Sequence, residues 1–202
     1  MLRDWVASLF TPGQATAHSR LGWYIILATL PVMGAGVLIK DLVEHQLRSP
    51  LVIALTTIGF GALLLWADKA FHHHRPMQQM GWKEALAIGA AQALALVPGT
   101  SRSGITMTAA LALGYSRQAA ARFSFLLSIP TILASVIWVG KDLAGSETDT
   151  DWTALGLGVL FSFAAALLTI HLFLRYIERM GMAPFAWYRF ALGTLILVLV
   201  YL

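Results

Sequence analysis

Residues 96–106 read Leu-Val-Pro-Gly-Thr-Ser-Arg-Ser-Gly-Ile-Thr, which puts a permanently charged arginine and several hydroxyls between two apolar runs, 85–98 and 105–114. As helices those runs are about 21 Å and about 15 Å long at ~1.5 Å per residue, against a hydrocarbon core of about 30 Å. Neither crosses a bilayer alone. A polar loop survives at membrane depth only where protein buries it or water reaches it, because each unpaired backbone group in lipid costs several kcal/mol. Two half-helices meeting at a glycine-bearing tip, a re-entrant hairpin over 85–114, meet that condition. The competing reading is a polar loop at the surface with Arg102 as one more topology charge, and the run lengths and the cost of an intramembrane arginine weigh against it.

The rest of the chain agrees with a bilayer as solvent. Of 202 residues, 58% are hydrophobic and only 12% are charged, and the mean hydropathy is +0.71. That composition excludes a soluble domain. Runs long enough to span are 21–40, 51–67, 123–139, 152–174 and 184–202, so the expected fold is an all-α integral membrane protein with about five transmembrane helices plus the hairpin. With no cysteine, neither a disulfide nor a thiolate metal site can be built. The first twenty residues lack a signal-peptide pattern.

Charge distribution orients the spans. If the hairpin returns to the side it left, loops 1–20, 68–83, 115–122 and 175–183 share one side with nine Lys and Arg, against three on the other; a single crossing by 85–114 gives six against six. The returning hairpin fits the positive-inside rule. It places the amino end inside and the acidic residues Asp142, Glu147, Asp149 and Asp151 outside. Two full crossings give the same count, and the half-helix lengths argue against them.

At the tip, Pro98 ends the first half-helix, Gly99 lets the chain turn, and Ser101 or Ser103 can cap a second half-helix beginning near Gly104. Backbone N–H groups and the partial positive charge at that N-terminus suit an anion. Arg102 adds a planar fork that matches phosphate bidentately, and Thr100, Ser101, Ser103 and Thr106 add hydroxyl donors. The ligand implied is a phosphate or diphosphate.

The segments Gln92-Ala-Leu-Ala-Leu-Val-Pro-Gly-Thr-Ser-Arg-Ser-Gly104, Gly114-Tyr-Ser-Arg117, Phe123-Ser-Phe-Leu-Leu-Ser-Ile-Pro130 and Pro184-Phe-Ala-Trp-Tyr-Arg-Phe190 occur in one order. Through them the chain resembles the undecaprenyl-diphosphate phosphatases associated with bacitracin resistance in bacteria. The likeness runs through nearly the whole chain, strongest over 92–130 and weakest over the first twenty residues. It implies a multi-pass protein of the bacterial cytoplasmic (inner) membrane that hydrolyses the C55 isoprenoid diphosphate to its monophosphate, recycling the lipid carrier for peptidoglycan synthesis. It also implies catalytic roles for Ser101, Arg102 and Thr106, with Gly99, Thr100, Ser103, Gly104, Gln92 and Arg189 as substrate-binding residues. A divalent cation, Mg²⁺ or Ca²⁺, is implied as well.

The chain departs from the family in one respect. Members also carry an earlier hairpin with a Glu-x-x-x-Glu motif and a Ser-Ser-Thr-Gly-His run, credited with metal binding, and no segment here matches it. The expectation is a single membrane domain over 1–202 that opens where the family's second span is finishing, with 1–67 as the tail of a first repeat and 82–202 as an inverted second repeat. Around the tip there is no Asp, Glu or His, and the place of the family's first glutamate is taken by Gln92. No metal ligand is therefore assigned. A diphosphate ester ordinarily needs its charge neutralised and its attacking group activated.

Other polar residues carry two readings. His72-His73-His74 sits beside Lys69 and Arg75 and reads as a solvated loop before it reads as a metal cluster. His171, near the end of its run, is equally an interfacial residue or a functional one. Arg189 reads as snorkelling unless it faces the hairpin. Trp5, Trp23, Tyr24, Trp66, Trp82, Trp138, Trp152 and Tyr201 read as interfacial belts, and Pro31 and Pro130 as helix kinks. Gly156, Gly158, Ser162 and Ala164 to Ala166 permit close helix approach, within one chain or in a homodimer. Three functions remain in view: a lipid diphosphate phosphatase, a transporter or flippase of a phosphorylated lipid, and an inactive truncated remnant. No nucleic-acid motif is present.

Overall fold

The structure is a computed structural model and describes residues 17–39, 42–43, 47–144 and 151–202. Residues 1–16, the expected end of the first span at Lys40, and Glu147 and Asp149 lie outside the described residues. Seven α-helices and two short 3₁₀ turns make up the described chain: α1 (Ala17–Leu38), α2 (Pro50–Ala70), α3 (Trp82–Gln92), α4 (Arg102–Ala112), α5 (Arg117–Ala144), α6 (Trp152–Met180) and α7 (Ala183–Tyr201). α1, α2, α5, α6 and α7 are long and apolar enough to cross a membrane. The protein is an all-α, multi-pass membrane protein.

Local chemistry sets several helix starts. Ser49 accepts from Val52 N ahead of Pro50, and Asp151 Oδ1 accepts from Thr153 N and Ala154 N at 3.0 Å. At α3 the Glu84 carboxylate reaches back to Gly81 N at 3.1 Å. Each satisfies backbone donors that a helix start leaves unpaired. α5 begins at Arg117, six residues before the expected apolar run, because Glu178 Oε1 accepts from Gln118 N at 2.8 Å and Ser116 Oγ from Ala119 N at 3.1 Å. α6 likewise runs on to Met180, so both helices carry their basic ends beyond the apolar stretch.

α3 and α4 have 11 residues each, about 16 Å of helix apiece at ~1.5 Å per residue, which is too short for a core of about 30 Å. Arg75 shows that they form a re-entrant hairpin. Its guanidinium donates to Glu84 Oε1 in the first turn of α3 and to Leu113 O just past the end of α4, both at 3.0 Å. Its backbone pairs with Gly114 and Ser116, and its side chain lies 4.5 Å over the Tyr115 ring. One residue therefore touches the open ends of both arms, and the chain leaves the hairpin on the side it entered.

α1 lies along α3 and crosses α5, α2 runs antiparallel along α7, and α4 sits among α2, α3 and α5. Lipid offers no hydrophobic drive between spans, so close backbone approach has to hold them together. Gly193 meets α2, where a Cβ would lie 2.6 Å from Ile58 Cγ1. Gly89 meets α1, where a Cβ would fall against the Ala28 carbonyl. The buried apolar cluster gathers at the base of the hairpin around Tyr115, Phe123, Leu127, Ile177 and Met182. Beside it the buried Asp68 carboxylate receives Arg117 Nε at 2.6 Å and Met182 N at 3.1 Å, tying α2, α5 and the α6–α7 turn. His73 Nε2 lies 2.9 Å from Asp68 O, and no metal-holding cluster of His and acid groups occurs among the described residues.

Replacing Gly89 by Ala is expected to destabilise the protein by about 3 kcal/mol through overpacking. Gly156 faces open space, so Gly156→Ala on α6 should be neutral or stabilising by up to about 1 kcal/mol. Thermal denaturation in detergent compares them, and equal effects would contradict the α1–α3 packing. The Arg75 hydrogen bond holds the Glu84 carboxyl below its ordinary range. The sign follows: the clasp contributes above the unfolded-state value of about 4.3 and is lost as pH falls through the lower folded value. Hydrogen exchange at the base of α3 should rise below about pH 4, and Arg75→Gln should abolish that dependence.

Candidate functional site

The first arm tightens before it turns. α3 ends at Gln92, the 3₁₀ turn Ala93–Leu96 follows, and the expected helical stretch to Pro98 is not formed. Gly99 then takes φ +90°. A side chain there would be strained, and its Cβ would sit 2.5 Å from Ile53 O. Two elements hold this turn from outside it. From α2, Thr56 Oγ1 donates to Pro98 O at 2.6 Å and Thr57 Oγ1 to Gly99 O at 3.3 Å. From α7, Arg189 Nη2 donates to Gly99 O at 2.8 Å and Thr100 O at 3.0 Å, while its Nε donates to Thr57 O at 3.2 Å. Arg189 faces the hairpin and does not snorkel.

Ser101 caps α4, its Oγ accepting from Gly104 N at 3.3 Å. The helix starts at Arg102, two residues earlier than the sequence suggested, because the cap falls on Ser101 and not on Ser103. Ser101 does this at φ +68°, alone among the described non-glycine residues in having positive φ. Such a conformation costs about 1–3 kcal/mol and persists where surrounding structure imposes it. Here the imposed turn is the one gripped by Thr56, Thr57 and Arg189. The result is an exposed serine at a helix N-terminus, at the tip of the hairpin.

The remaining site residues divide by direction. Arg102 Nη1 donates to Thr131 Oγ1 of α5 at 2.6 Å and lines a cleft of about 560 Å³ between α1 and α5. Ser101, Ser103, Gly104 and Arg189 line a second cleft of about 220 Å³, closed on its far side by Phe173, Phe185 and Tyr188. Thr106 is buried, its Oγ1 bonded to Arg102 O, Ser103 O and the Ser124 hydroxyl. Thr100 and Gln92 are each 1% exposed and line neither cleft. Thr100 Oγ1 and Gln92 Nε2 are buried without a hydrogen-bond partner. The structure thus gathers Ser101, Ser103, Gly104 and Arg189, puts Arg102 on the other flank of the same helix end, and turns Thr100, Thr106 and Gln92 inward. His171 is exposed on α6 and lines neither cleft.

Among the described residues the tip is a cationic end without a counter-ion: the ion pairs Arg75–Glu84 and Arg117–Asp68 lie at the base of the hairpin. Neither tip guanidinium contacts a carboxylate of the described residues, and the dipole of α4 adds positive charge. An anion is the complement of such a site. A divalent cation does not fit these residues, which offer guanidinium and hydroxyl groups and no carboxylate. Thr56, Thr57, Ser124 and Thr131 were not found by sequence reasoning. The signal available was a hydroxyl residue inside an otherwise apolar span.

Ser101→Ala keeps the strained turn and loses the cap, so it is expected to cost about 1 kcal/mol. Ser101→Gly loses the cap for a few tenths and relieves strain of about 1–3 kcal/mol, so it should be as stable as the parent or more so. Denaturation midpoints in detergent decide this, and a glycine variant less stable than the alanine variant would refute the strain.

Compared with known families, residues 1–195 match the model described as bacitracin resistance protein BacA.

Proposed function

We propose, from the premise that the chain belongs to the BacA family, that it acts in hydrolysis of undecaprenyl diphosphate to undecaprenyl phosphate and phosphate. The setting is the bacterial cytoplasmic membrane, where this reaction returns the lipid carrier to peptidoglycan synthesis and opposes bacitracin. The observation that supports it is the tip, where Arg102 and Arg189 line clefts on either side of the start of α4, no carboxylate of the described residues contacts either, and Ser101 is exposed.

Each residue then has a part. Arg102 neutralises phosphate oxygens with a fork of donors whose aim Thr131 fixes. Ser103 and the first turn of α4 donate to the same anion, and the unbonded Nη1 of Arg189 faces it beside Gly104. Ser101 Oγ is the oxygen of this chain placed to meet phosphorus. Thr106 holds the first turn of α4 through Arg102 O and Ser103 O and does not touch substrate. Attack on the terminal phosphorus breaks its bond to the bridging oxygen, on which charge grows as the chain-bearing monophosphate leaves, and preorganised cations and dipoles there lower the barrier; water then releases the phosphoryl group from Ser101 as phosphate. Removing the proton from the attacking oxygen requires a base, and that role is assigned to none of the tip residues.

Phosphate release from C55 isoprenoid diphosphate in detergent, with Mg²⁺ or Ca²⁺ added, tests the reading. Arg102→Ala should lower kcat/KM by about 10²–10³-fold, whereas Arg179→Ala in the last turn of α6 should not change it. Release that is indifferent to Arg102, or movement of labelled lipid across vesicles without phosphate release, would overturn it, the latter in favour of transport.

A further inference from the structure

The segment that carries the clasp of the hairpin also carries a motif that the tip does not use, His72-His73-His74. Its backbone is extended. Phe71 before it has φ −111° and ψ 154°, Pro76 after it has φ −76° and ψ 158°, and Arg75 forms an isolated parallel bridge to Tyr115. In extended chain successive side chains point to opposite faces, and residues two apart share one. Burial follows that period: His72, His74 and Pro76 are exposed, whereas His73, Arg75 and Met77 are partly buried. His73 belongs to the inner face, its Nε2 donating to Asp68 O at 2.9 Å. His72 and His74 are left side by side on the outer face, their ring centres 6.2 Å apart and their planes tilted by 40°.

We propose that His72 and His74 form a chelating site for one divalent transition-metal ion of the Zn²⁺, Ni²⁺ or Cu²⁺ class, at the base of the hairpin. Zn–N bonds of about 2.0–2.1 Å put an ion roughly 3 Å from the centre of each ring it binds, so two rings sharing an ion have centres about 5–6 Å apart. A small side-chain rotation, which exposed rings make freely, separates that arrangement from the 6.2 Å observed. Imidazole nitrogen selects the class of metal: it suits Zn²⁺, Ni²⁺ and Cu²⁺, whereas Mg²⁺ and Ca²⁺ take oxygen ligands. No group of three His and acid residues able to hold an ion occurs among the described residues. The chain therefore supplies two ligands here, and water the others.

The two ligands are held before any ion arrives. His73 is tied to Asp68 O between them, Arg75 N donates to Gly114 O at 3.0 Å, and Ser116 N donates to Arg75 O at 2.9 Å. Gly114 permits this approach, since a Cβ there would lie 3.3 Å from His72 O. Closing the chelate therefore costs little backbone entropy, and the second ring binds in an intramolecular step. Neighbouring positive charge is drawn off the outer face: Arg75 is paired with Glu84, and Lys69 lines a hollow with Trp66 and Phe190 between α2 and α7. An ion on this pair acts as a staple. By fixing 72–74 it holds the adjoining residue, Arg75, in its pairing with Gly114 and Ser116. The site lies at the end of the hairpin opposite the tip and is independent of the reaction proposed above.

Zn²⁺ titrated by calorimetry into the whole chain, purified in detergent without an oligohistidine tag, tests the site, with hydrogen exchange measured on the same samples. One ion per chain is expected. His72→Gln or His74→Gln should each weaken binding at least about tenfold, since either change removes the chelate. His73→Gln, whose amide still donates to Asp68 O, should leave the affinity unchanged, and Mg²⁺ should not compete. With Zn²⁺ at about 100 times its Kd, exchange of the Arg75 and Ser116 amides should slow at least about tenfold, the linkage limit being about 100-fold. The absence of Zn²⁺ binding would overturn the proposal. Binding that survives the double change His72→Gln and His74→Gln, or that leaves the Arg75 and Ser116 amides unprotected, would identify an adventitious ion only and overturn it equally.

Discussion

The arrangement at the tip depends on one guanidinium answering three carbonyls. A re-entrant hairpin ends in backbone that cannot pair with itself, and in lipid such groups have no water to turn to. Arg189 donates to Thr57, Gly99 and Thr100 at once, and the hydroxyls of Thr56 and Thr57 take Pro98 and Gly99. The turn is therefore satisfied by α2 and α7, which pack closely because Gly61 and Gly193 leave room. The close pairing of those two spans, the strained Ser101 and the start of α4 form one connected construction. A hairpin satisfied in this way can hold a charged residue at membrane depth with no carboxylate beside it.

The hairpin itself was legible in the sequence because it is a matter of length: two apolar runs too short to span, separated by glycines and hydroxyls, allow few alternatives. The five spans were legible for the same reason, but their ends were not. The starts of α5 and the end of α6 depend on Glu178 reaching Gln118 N across 60 residues, which no local pattern encodes. Arg75 read as one more loop charge, although it joins both bases of the hairpin. Asp68 was a polar residue at a span end in sequence and is a buried node in the fold.

In the site, residue type was readable and direction was not. The motif grouped Thr100, Ser101, Arg102, Ser103 and Thr106 as though all faced one ligand. Neighbours on a helix point about 100° apart, and Thr100 and Ser101 precede the helix, so the group splits. Arg102 turns to Thr131 of α5 and Thr106, one turn on along the same face, to Ser124 of that helix, while Ser101 and Ser103 turn to α7. Thr131 escaped notice because its role exists only once α5 lies beside α4. Arg189 read as snorkelling unless it faced the hairpin; it does face the hairpin, and its work there is on backbone carbonyls.

The division of the tip into two flanks bears on how a lipid phosphate can be handled. A diphosphate has two anionic ends that differ only in what they are attached to, and a single symmetric cluster of donors would bind it in either sense. Here one flank carries Arg102 with the hydroxyls of Thr131 and Ser135, and the other carries Arg189 with those of Ser101 and Ser103, each against apolar walls. The positive end of α4 lies between them and favours charge on both sides. Two-sided binding of this kind needs rigidity more than strength. The hydrogen bonds that satisfy the tip carbonyls also fix Ser101 and aim α4, so the demand lipid makes on the backbone supplies the preorganisation that phosphoryl chemistry requires.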